Sequence, residues 1–313
     1  MMTTVEHILL LGGAGYIGAN LVAAMKSDAY DLHVYDQNEL PISVDGCRNV
    51  TIHKGVVADI DKIEGIIESF HITTVVHLVS ILIPGSSYED YKKEYMTVIL
   101  PSIELMGICA RRKIKFVFFS SGGTIYGNRS DAKPFDEDDT VAPISYYGWS
   151  KQMMENSILF MHRTQHLDFL ILRPSNTYGH GQNLFGKQGL VAVAIGKILK
   201  GEPVEIWGDG SVVRDYLYID DLTRVFWQLI EAKPDSTIIN IGSGKGYHVN
   251  EVLDLLKEVS GKDFQVIYKN PRPVDVSYMV LNIQRLKRYV TCSFTPFEEG
   301  IRKFYQASLS QYK

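Results

Sequence analysis

Cysteine is scarce and scattered: the 313 residues hold three, Cys47, Cys109 and Cys292. An odd number without CxxC spacing argues against a disulfide framework or a zinc ribbon and reads as a reduced thiol set. No credible metal set is visible, so none is expected. No apolar stretch reaches the roughly 18 residues that a membrane-spanning helix needs, and the first seven residues, with Glu6 among them, read as neither signal nor transit peptide. A net charge of −4 and a pI near 6.1 supply no general basic field. A dedicated nucleic-acid binder is thereby disfavoured, and any anion must be held by a local pocket. Internal repeats, low-complexity tracts and independent linkers are also missing. The expectation is a cytoplasmic protein with neither membrane nor nucleic acid as partner.

What is present is ordinary for a soluble globular chain, 45% apolar and 22% charged. Short β-rich runs at 8–12, 31–36, 50–55, 74–80, 116–121, 169–174 and 238–242 alternate with helical stretches at 16–27, 61–70, 91–112, 146–165 and 220–232. Near-continuous apolar strands alternating with helices imply an α/β fold, a doubly wound parallel sheet covered on both faces. After Asn176 the alternation weakens, with Gly179, Gly181, Gly186 and Gly189 preceding a helix at 190–200. Residues 1–177 and 216–242 are therefore assigned to a dinucleotide-binding domain. Residues 178–215 and 243–313 are assigned to a smaller α/β substrate-binding domain, with the cleft expected beyond the carboxyl ends of the strands.

The first strand runs into Gly12, Gly15 and Gly18, spaced GxxGxxG, and then into a helix. Glycines permit the tight turn and the approach of backbone N–H groups to a pyrophosphate at the positive helix end. Asp36 closes the second strand, where its carboxylate can accept from both ribose hydroxyls and repel a 2′-phosphate, so NAD is expected over NADP. Asp59 and Ile60 offer adenine a polar contact and an apolar wall, or else Asp59 simply caps a helix.

Tyr147 and Lys151 stand four residues apart, on one face of a helix about one turn from each other. A neighbouring ammonium favours a phenolate, which suits the tyrosine to move a proton on a sugar hydroxyl. The pair follows both the glycine turn and the strand-end cluster Ser120, Ser121, Gly122, Gly123, Thr124, Ile125, Tyr126, Gly127.

These motifs, with LRPSNTYG from Leu172, IWGDGSVVRDYLYIDDL from Ile206, NIGSG from Asn240 and RPVDV from Arg272, run over nearly the whole chain in order. The sequence resembles the extended short-chain dehydrogenase/reductase family, most closely nucleotide-sugar epimerases of the UDP-glucose 4-epimerase type. The resemblance implies a Rossmann-type domain with NAD as cofactor and a UDP-sugar as substrate. It implies that Gly12, Gly15, Tyr16 and Ile17 line the pyrophosphate turn, that Asp36, Asp59 and Ile60 face adenosine, and that Leu78, Val79 and Ser80 line the cofactor groove. Pro174 would lie near the nicotinamide, and Tyr147 and Lys151 would serve both cofactor and chemistry. Asn176, Gly189, Leu190, Trp207, Arg214, Tyr216, Arg272 and Asp275 match positions that hold a nucleoside diphosphate sugar; the guanidinium forks of Arg214 and Arg272 suit phosphate. A homodimer through the helices at 91–112 and 146–165 is also implied. So is a place in carbohydrate metabolism or polysaccharide biosynthesis.

The chain departs from that pattern in three places. Gly122 stands where many members carry Ser or Thr, which leaves Thr124, then Ser121, as the candidate catalytic hydroxyl. Gly123 and Thr124 stand where related 4,6-dehydratases carry Asp and Glu, which weighs against elimination. Thr97, Val98, Ile99, Leu100 and Pro101 lack the usual Asn. The acidic run at 136–139 reads as a solvated loop, Asp220 and Asp221 as helix caps, His180 as polar rather than catalytic, and Met279 as falling where the family gates its sugar pocket. C4 epimerisation of a UDP-sugar through a transient 4-keto sugar is the expected activity. A nucleotide-sugar reductase or dehydrogenase and a non-catalytic NAD-binding sensor are the alternatives.

Overall fold

The computed structural model describes residues 5–25, 29–43, 49–129, 131–272 and 275–312; Cys47 lies outside them. The chain forms two compact units, the first made of Met1–Ser120, Ser145–Leu172 and Phe226–Ile239, the second of Ser121–Ile144, Arg173–Val225 and Asn240–Lys313. Residues 121–144, 173–177, 216–225 and 240–242, grouped above with the dinucleotide-binding half, pack with the second unit.

Through the first unit the chain runs β1 (Glu6–Leu11), α1 (Tyr16–Ala24), β2 (Tyr30–Asp36), β3 (Val50–Lys54), α2 (Ile60–Ser69), β4 (Thr74–His77), α3 (Tyr88–Glu94), α4 (Leu100–Arg112), β5 (Lys115–Phe119), α5 (Tyr146–Gln165) and β6 (Phe169–Pro174). The seven-stranded sheet, whose last member is β10 (Thr237–Ile241), has the order β10-β6-β5-β4-β1-β2-β3. It is parallel at each pairing from β6 to β3. The order reverses between β1 and β4, the switch point at which open α/β sheets bind ligands. Leu9, Leu11, Val75, Phe116, Phe118 and Ile171 are fully buried and pack with Ile63, Ile67, Leu105 and Ile158 from α2, α4 and α5. Both faces of a parallel sheet must be covered, hence the continuous apolar strands.

The helix expected at 91–112 is interrupted. A π-helical segment, Tyr95–Ile99, separates α3 from α4, and Pro101 occupies the first turn of α4. Proline has no N–H to donate back along the helix, and the wider turn accommodates that loss.

Elements of the second unit are β7 (Asn176–Tyr178), α6 (Leu190–Lys200), β8 (Val204–Trp207), β9 (Val213–Tyr218), β11 (Gly246–His248), α8 (Val249–Ser260), β12 (Val266–Lys269), β13 (Tyr278–Met279) and α9 (Phe297–Tyr312), while α7 (Ile219–Ala232) runs from this unit into the first. β9 pairs with β7, β11 and β13, and β8 pairs in parallel with β12. Met279, expected to gate a pocket, is 1% exposed and packs with Ile125, Tyr126, Phe135 and Leu281. The acidic run is not wholly solvated. Glu137 is buried, accepts from the Asn240 N–H at 2.9 Å and pairs with Arg285; only its neighbours face water.

Candidate active site

In the first unit, the glycine turn is a cradle that side chains would fill. Gly12 has φ of +82°, where a Cβ is strained and would lie 3.0 Å from Val79 Cγ2. A Cβ on Gly18 would come within 2.6 Å of the Gly12 carbonyl oxygen, so α1 can start this close to the turn only with glycine there. Gly15 is exposed at the N-cap of α1, with Tyr16 and Ile17 half-buried behind it. Asp36 Oδ2 accepts from the Ala14 N–H at 3.0 Å and Oδ1 from the Asn38 N–H at 2.9 Å, which holds the carboxylate against the turn. Leu78, Val79 and Ser80 follow β4 as a half-buried edge, and the Leu78 N–H donates to the Leu11 carbonyl at 3.0 Å. This Gly-lined turn with an acid at the end of β2 fits a dinucleotide.

Asp59 and Ile60 differ from the expectation in detail. Asp59 stands at the N-cap of α2 without capping it through its side chain, and Oδ2 accepts instead from the Val56 N–H at 3.2 Å. Ile60 is 8% exposed and belongs to the core.

Ser145 starts α5 by accepting the Gly148 N–H at 3.1 Å. Two residues on, Tyr147 is half-buried, and Lys151 is buried with Nζ 5.7 Å from the Tyr147 ring centroid. Lys151 Nζ donates to the Phe119 carbonyl at 2.9 Å, tying α5 to the carboxyl end of β5. Burial pulls the Lys151 pKa down to about 8, against the opposing influence of the Glu94 and Glu155 charges. The group is thus mostly cationic at neutral pH and close to titration.

Two buried polar residues here carry no motif. Glu94, 2% exposed, accepts from Ser80 Oγ at 2.8 Å, the Ile81 N–H at 2.7 Å and Ser150 Oγ at 3.2 Å. His77 is fully buried at the end of β4, with Nε2 2.8 Å from Ser102 Oγ, which donates to the Val98 carbonyl at 2.6 Å. With that hydroxyl proton spent on Val98, His77 Nε2 is the donor to Ser102. Burial, reinforced by the Lys151 charge, pushes the His77 pKa down to about 3.

In the second unit, a Cβ on Gly122 would lie 2.6 Å from Leu281 Cδ1 and 2.9 Å from the Arg173 carbonyl oxygen, so the hydroxyl-bearing side chain has no room there. Thr124 Oγ1 donates to Ser121 Oγ at 3.1 Å, pairing the two substitute candidates. Pro174, buried at the end of β6, accepts the Gly122 N–H at 2.8 Å. The segment from Ser121 is pinned by Tyr126, whose OH donates to Asn240 Oδ1 at 2.6 Å and accepts from buried Arg173 at 2.8 Å.

Arg272, Asp275 and Trp207 form one cluster. Arg272 makes a bidentate pair with Asp275 at 2.8 and 2.9 Å, and its guanidinium lies 5.2 Å from the exposed Trp207 ring centroid. Arg214 feels both Asp275 and Arg272, and burial lowers its pKa from the usual arginine range. Tyr216, next but one on β9, is buried and stacks on Phe297 at 5.1 Å; burial raises its phenol. Asn176 Nδ2 donates to the Asp215 carbonyl at 3.1 Å. Gly189, with φ of +89°, caps the α6 N-terminus immediately before Leu190. Asp215, fully buried, was invisible as a motif: its carboxylate accepts from the Ser243, Gly244 and Leu281 N–H groups and from Ser243 Oγ, which fixes β9 and hence Arg214. His180 Nε2 is 2.7 Å from exposed Asp220. Asp221, with Asp220 in the first turn of α7, accepts from Arg224 and the Thr295 N–H at 2.6 and 2.7 Å.

Residues 8–242 match the NAD dependent epimerase/dehydratase family. The chain belongs to that family. It is 31% identical over 300 residues, 95% of this chain and 96% of the relative, to a Methanocaldococcus jannaschii protein provisionally named a UDP-glucose 4-epimerase. It is 30% identical over 289 residues, 89% of each chain, to an Escherichia coli dTDP-4-dehydro-6-deoxyglucose reductase. The crystal structure of UDP-glucose 4-epimerase from Thermotoga maritima, solved with UDP-glucose, superposes with a TM-score of 0.90 at 32% identity, covering 98% of this chain and all of that one. The protein is thus an enzyme of an NAD-dependent nucleotide-sugar family with a Rossmann-type α/β fold. Among the described residues, no helix is long and apolar enough to cross a membrane.

Proposed function

We propose that the protein inverts C4 of a UDP-sugar with tightly held NAD. The observation that carries the reading is Lys151, buried yet held close to the Tyr147 ring from the same helix face. Tyr147, as phenolate, takes the proton of the sugar's 4-hydroxyl, and the Lys151 ammonium stabilises that phenolate. NAD, held at the glycine turn and Asp36, would supply the hydride acceptor and donor that oxidation at C4 and its reversal need. Tyr147 then gives the proton back to O4. Thr124, with Ser121 behind it, is assigned the hydroxyl that donates to the developing carbonyl oxygen. Arg214 and Arg272 are assigned the diphosphate, and Asn176, Gly189, Leu190, Trp207, Tyr216 and Asp275 the remainder of the nucleotide sugar. Gly12, Gly15, Tyr16, Ile17, Asp36, Asp59, Ile60, Leu78, Val79, Ser80 and Pro174 are assigned to NAD.

Similarity to UDP-glucose 4-epimerases supports epimerisation. The test is incubation of the purified protein, without added cofactor, with glucose/galactose, N-acetylated and uronic acid UDP-sugar pairs. Interconversion at C4 without NADH accumulation is expected. A strict requirement for stoichiometric NAD(P)H would instead establish a reductase, the reading favoured by the Escherichia coli relative. The proposal includes cytoplasmic residence and a homodimer through the helical segments at 91–112 and 146–165, supported by the exposed apolar side chains of Met96, Leu100, Trp149 and Phe160.

A further inference from the structure

At the end of β1 away from the glycine turn, side chains from two strands converge within the first unit. His7 is the register partner of Asp31, and Asp31 and His33, two apart on β2, share a sheet face. His7 Nδ1 lies 3.2 Å and His33 Nε2 lies 3.6 Å from the same oxygen, Asp31 Oδ2. All three atoms fall within 4.8 Å of one another. His33 is 1% exposed, and neither of the two nitrogens has a hydrogen-bond partner. Buried polar atoms are rarely left unmade, and two imidazole nitrogens aimed at one carboxylate oxygen lack only something to share between them.

We propose that His7 Nδ1, Asp31 Oδ2 and His33 Nε2 bind a divalent late-transition ion of the zinc type. Donors about 2.0–2.1 Å from a tetrahedral ion lie roughly 3.3 Å apart, close to the two separations here. The wider gap between the histidines closes by movement of His7, whose side chain is 31% exposed. Two imidazoles and one carboxylate favour zinc over magnesium or calcium, which take oxygen donors. Three protein ligands leave a fourth position for water.

The surroundings supply an outer support. His33 Nδ1 lies 3.0 Å from His53 Nε2 on β3, and in the ligating tautomer the Nδ1 proton is donated to His53, which fixes the ring. Phe70 packs on the His33 ring at 4.3 Å and helps hold it in place. His7 precedes Gly12 by five residues, roughly 16 Å along a strand, so the ion acts as a clamp on β1 and β2 rather than in the chemistry.

The test uses full-length protein stripped with a chelator and titrated with cobalt(II) and zinc(II), followed by calorimetry, cobalt visible absorption and thermal unfolding. One equivalent of metal per chain, a raised Tm and unchanged NAD binding are expected. His7→Gln, a partly exposed position that should fold, and Asp31→Asn should each weaken binding about tenfold or more, and His53→Phe about tenfold. Wild-type affinity no greater than that of the His7→Gln/Asp31→Asn double variant, or well under one equivalent bound, overturns the site.

Discussion

Glu94 accepts a hydrogen bond from Ser150 Oγ at 3.2 Å, one residue before Lys151, while its carboxylate also takes Ser80 Oγ and the Ile81 N–H. One buried carboxylate thereby ties the chain after β4 to the helix that carries Tyr147 and Lys151. Its charge opposes the fall of the Lys151 pKa that burial causes.

Glu94→Gln should shift the pH dependence of turnover. The Lys151 pKa of about 8 is already the net of burial, which lowers it, and the Glu94 charge, which holds it up; removing that charge lowers it further, so the ammonium is lost at lower pH. The alkaline limb of the kcat profile should move to lower pH, which a purely structural role would not do. An amide also cannot accept all three donors, and one left unmade costs about 1–3 kcal/mol in denaturant unfolding. An unmoved limb would count against Glu94 as a positioning residue.

Tyr147→Phe should lower kcat about 10²- to 10⁴-fold, the usual worth of a positioned acid/base group, while NAD binding stays close to wild type. Cofactor fluorescence titration alongside the epimerisation assay separates the two. Retained full turnover would sink the assignment.

His77 should make the fold sensitive to acid. The unfolded chain takes up a proton on this residue near pH 6.5, but the folded chain resists it down to about pH 3. Its contribution to stability is therefore complete above pH 6.5 and is lost progressively as pH falls through that window. His77→Gln, compared with wild type by urea unfolding at pH 7 and pH 4.5, should show a smaller loss between the two.

Gly122→Ala should destabilise the second unit by about 1–3 kcal/mol, because the added methyl meets both a Leu281 methyl and the fixed carbonyl of Arg173. The urea midpoint reports it. A stabilised or unchanged variant would show that this wall yields.

The glycine turn, the alternating strands and the Tyr147/Lys151 spacing were legible because each expresses a local constraint: a positive φ at Gly12, two-sided burial of the sheet, one helical turn. Glu94, His77 and Asp215 were not, since their importance lies in which distant donors surround them, and those are fixed only by tertiary packing. The π-helical turn at Tyr95–Ile99 leaves no mark in the sequence because helical periodicity continues through it. Glu137 is hidden in the sequence because charge in a run suggests solvent, whereas the backbone N–H of Asn240, 103 residues away, satisfies the buried carboxylate.

The crowding at Gly122 also limits what mutation can reach from this sequence. A hydroxyl-bearing residue at 122 and leucine at 281 exclude each other sterically, and the Arg173 carbonyl resists even after position 281 is trimmed. Placing a hydroxyl-bearing side chain at 122 takes at least two changes, of which the first alone is unfavourable in either order. Positions 122 and 281 should therefore vary together among descendants of this chain, while Thr124, left to carry the hydroxyl, should be held.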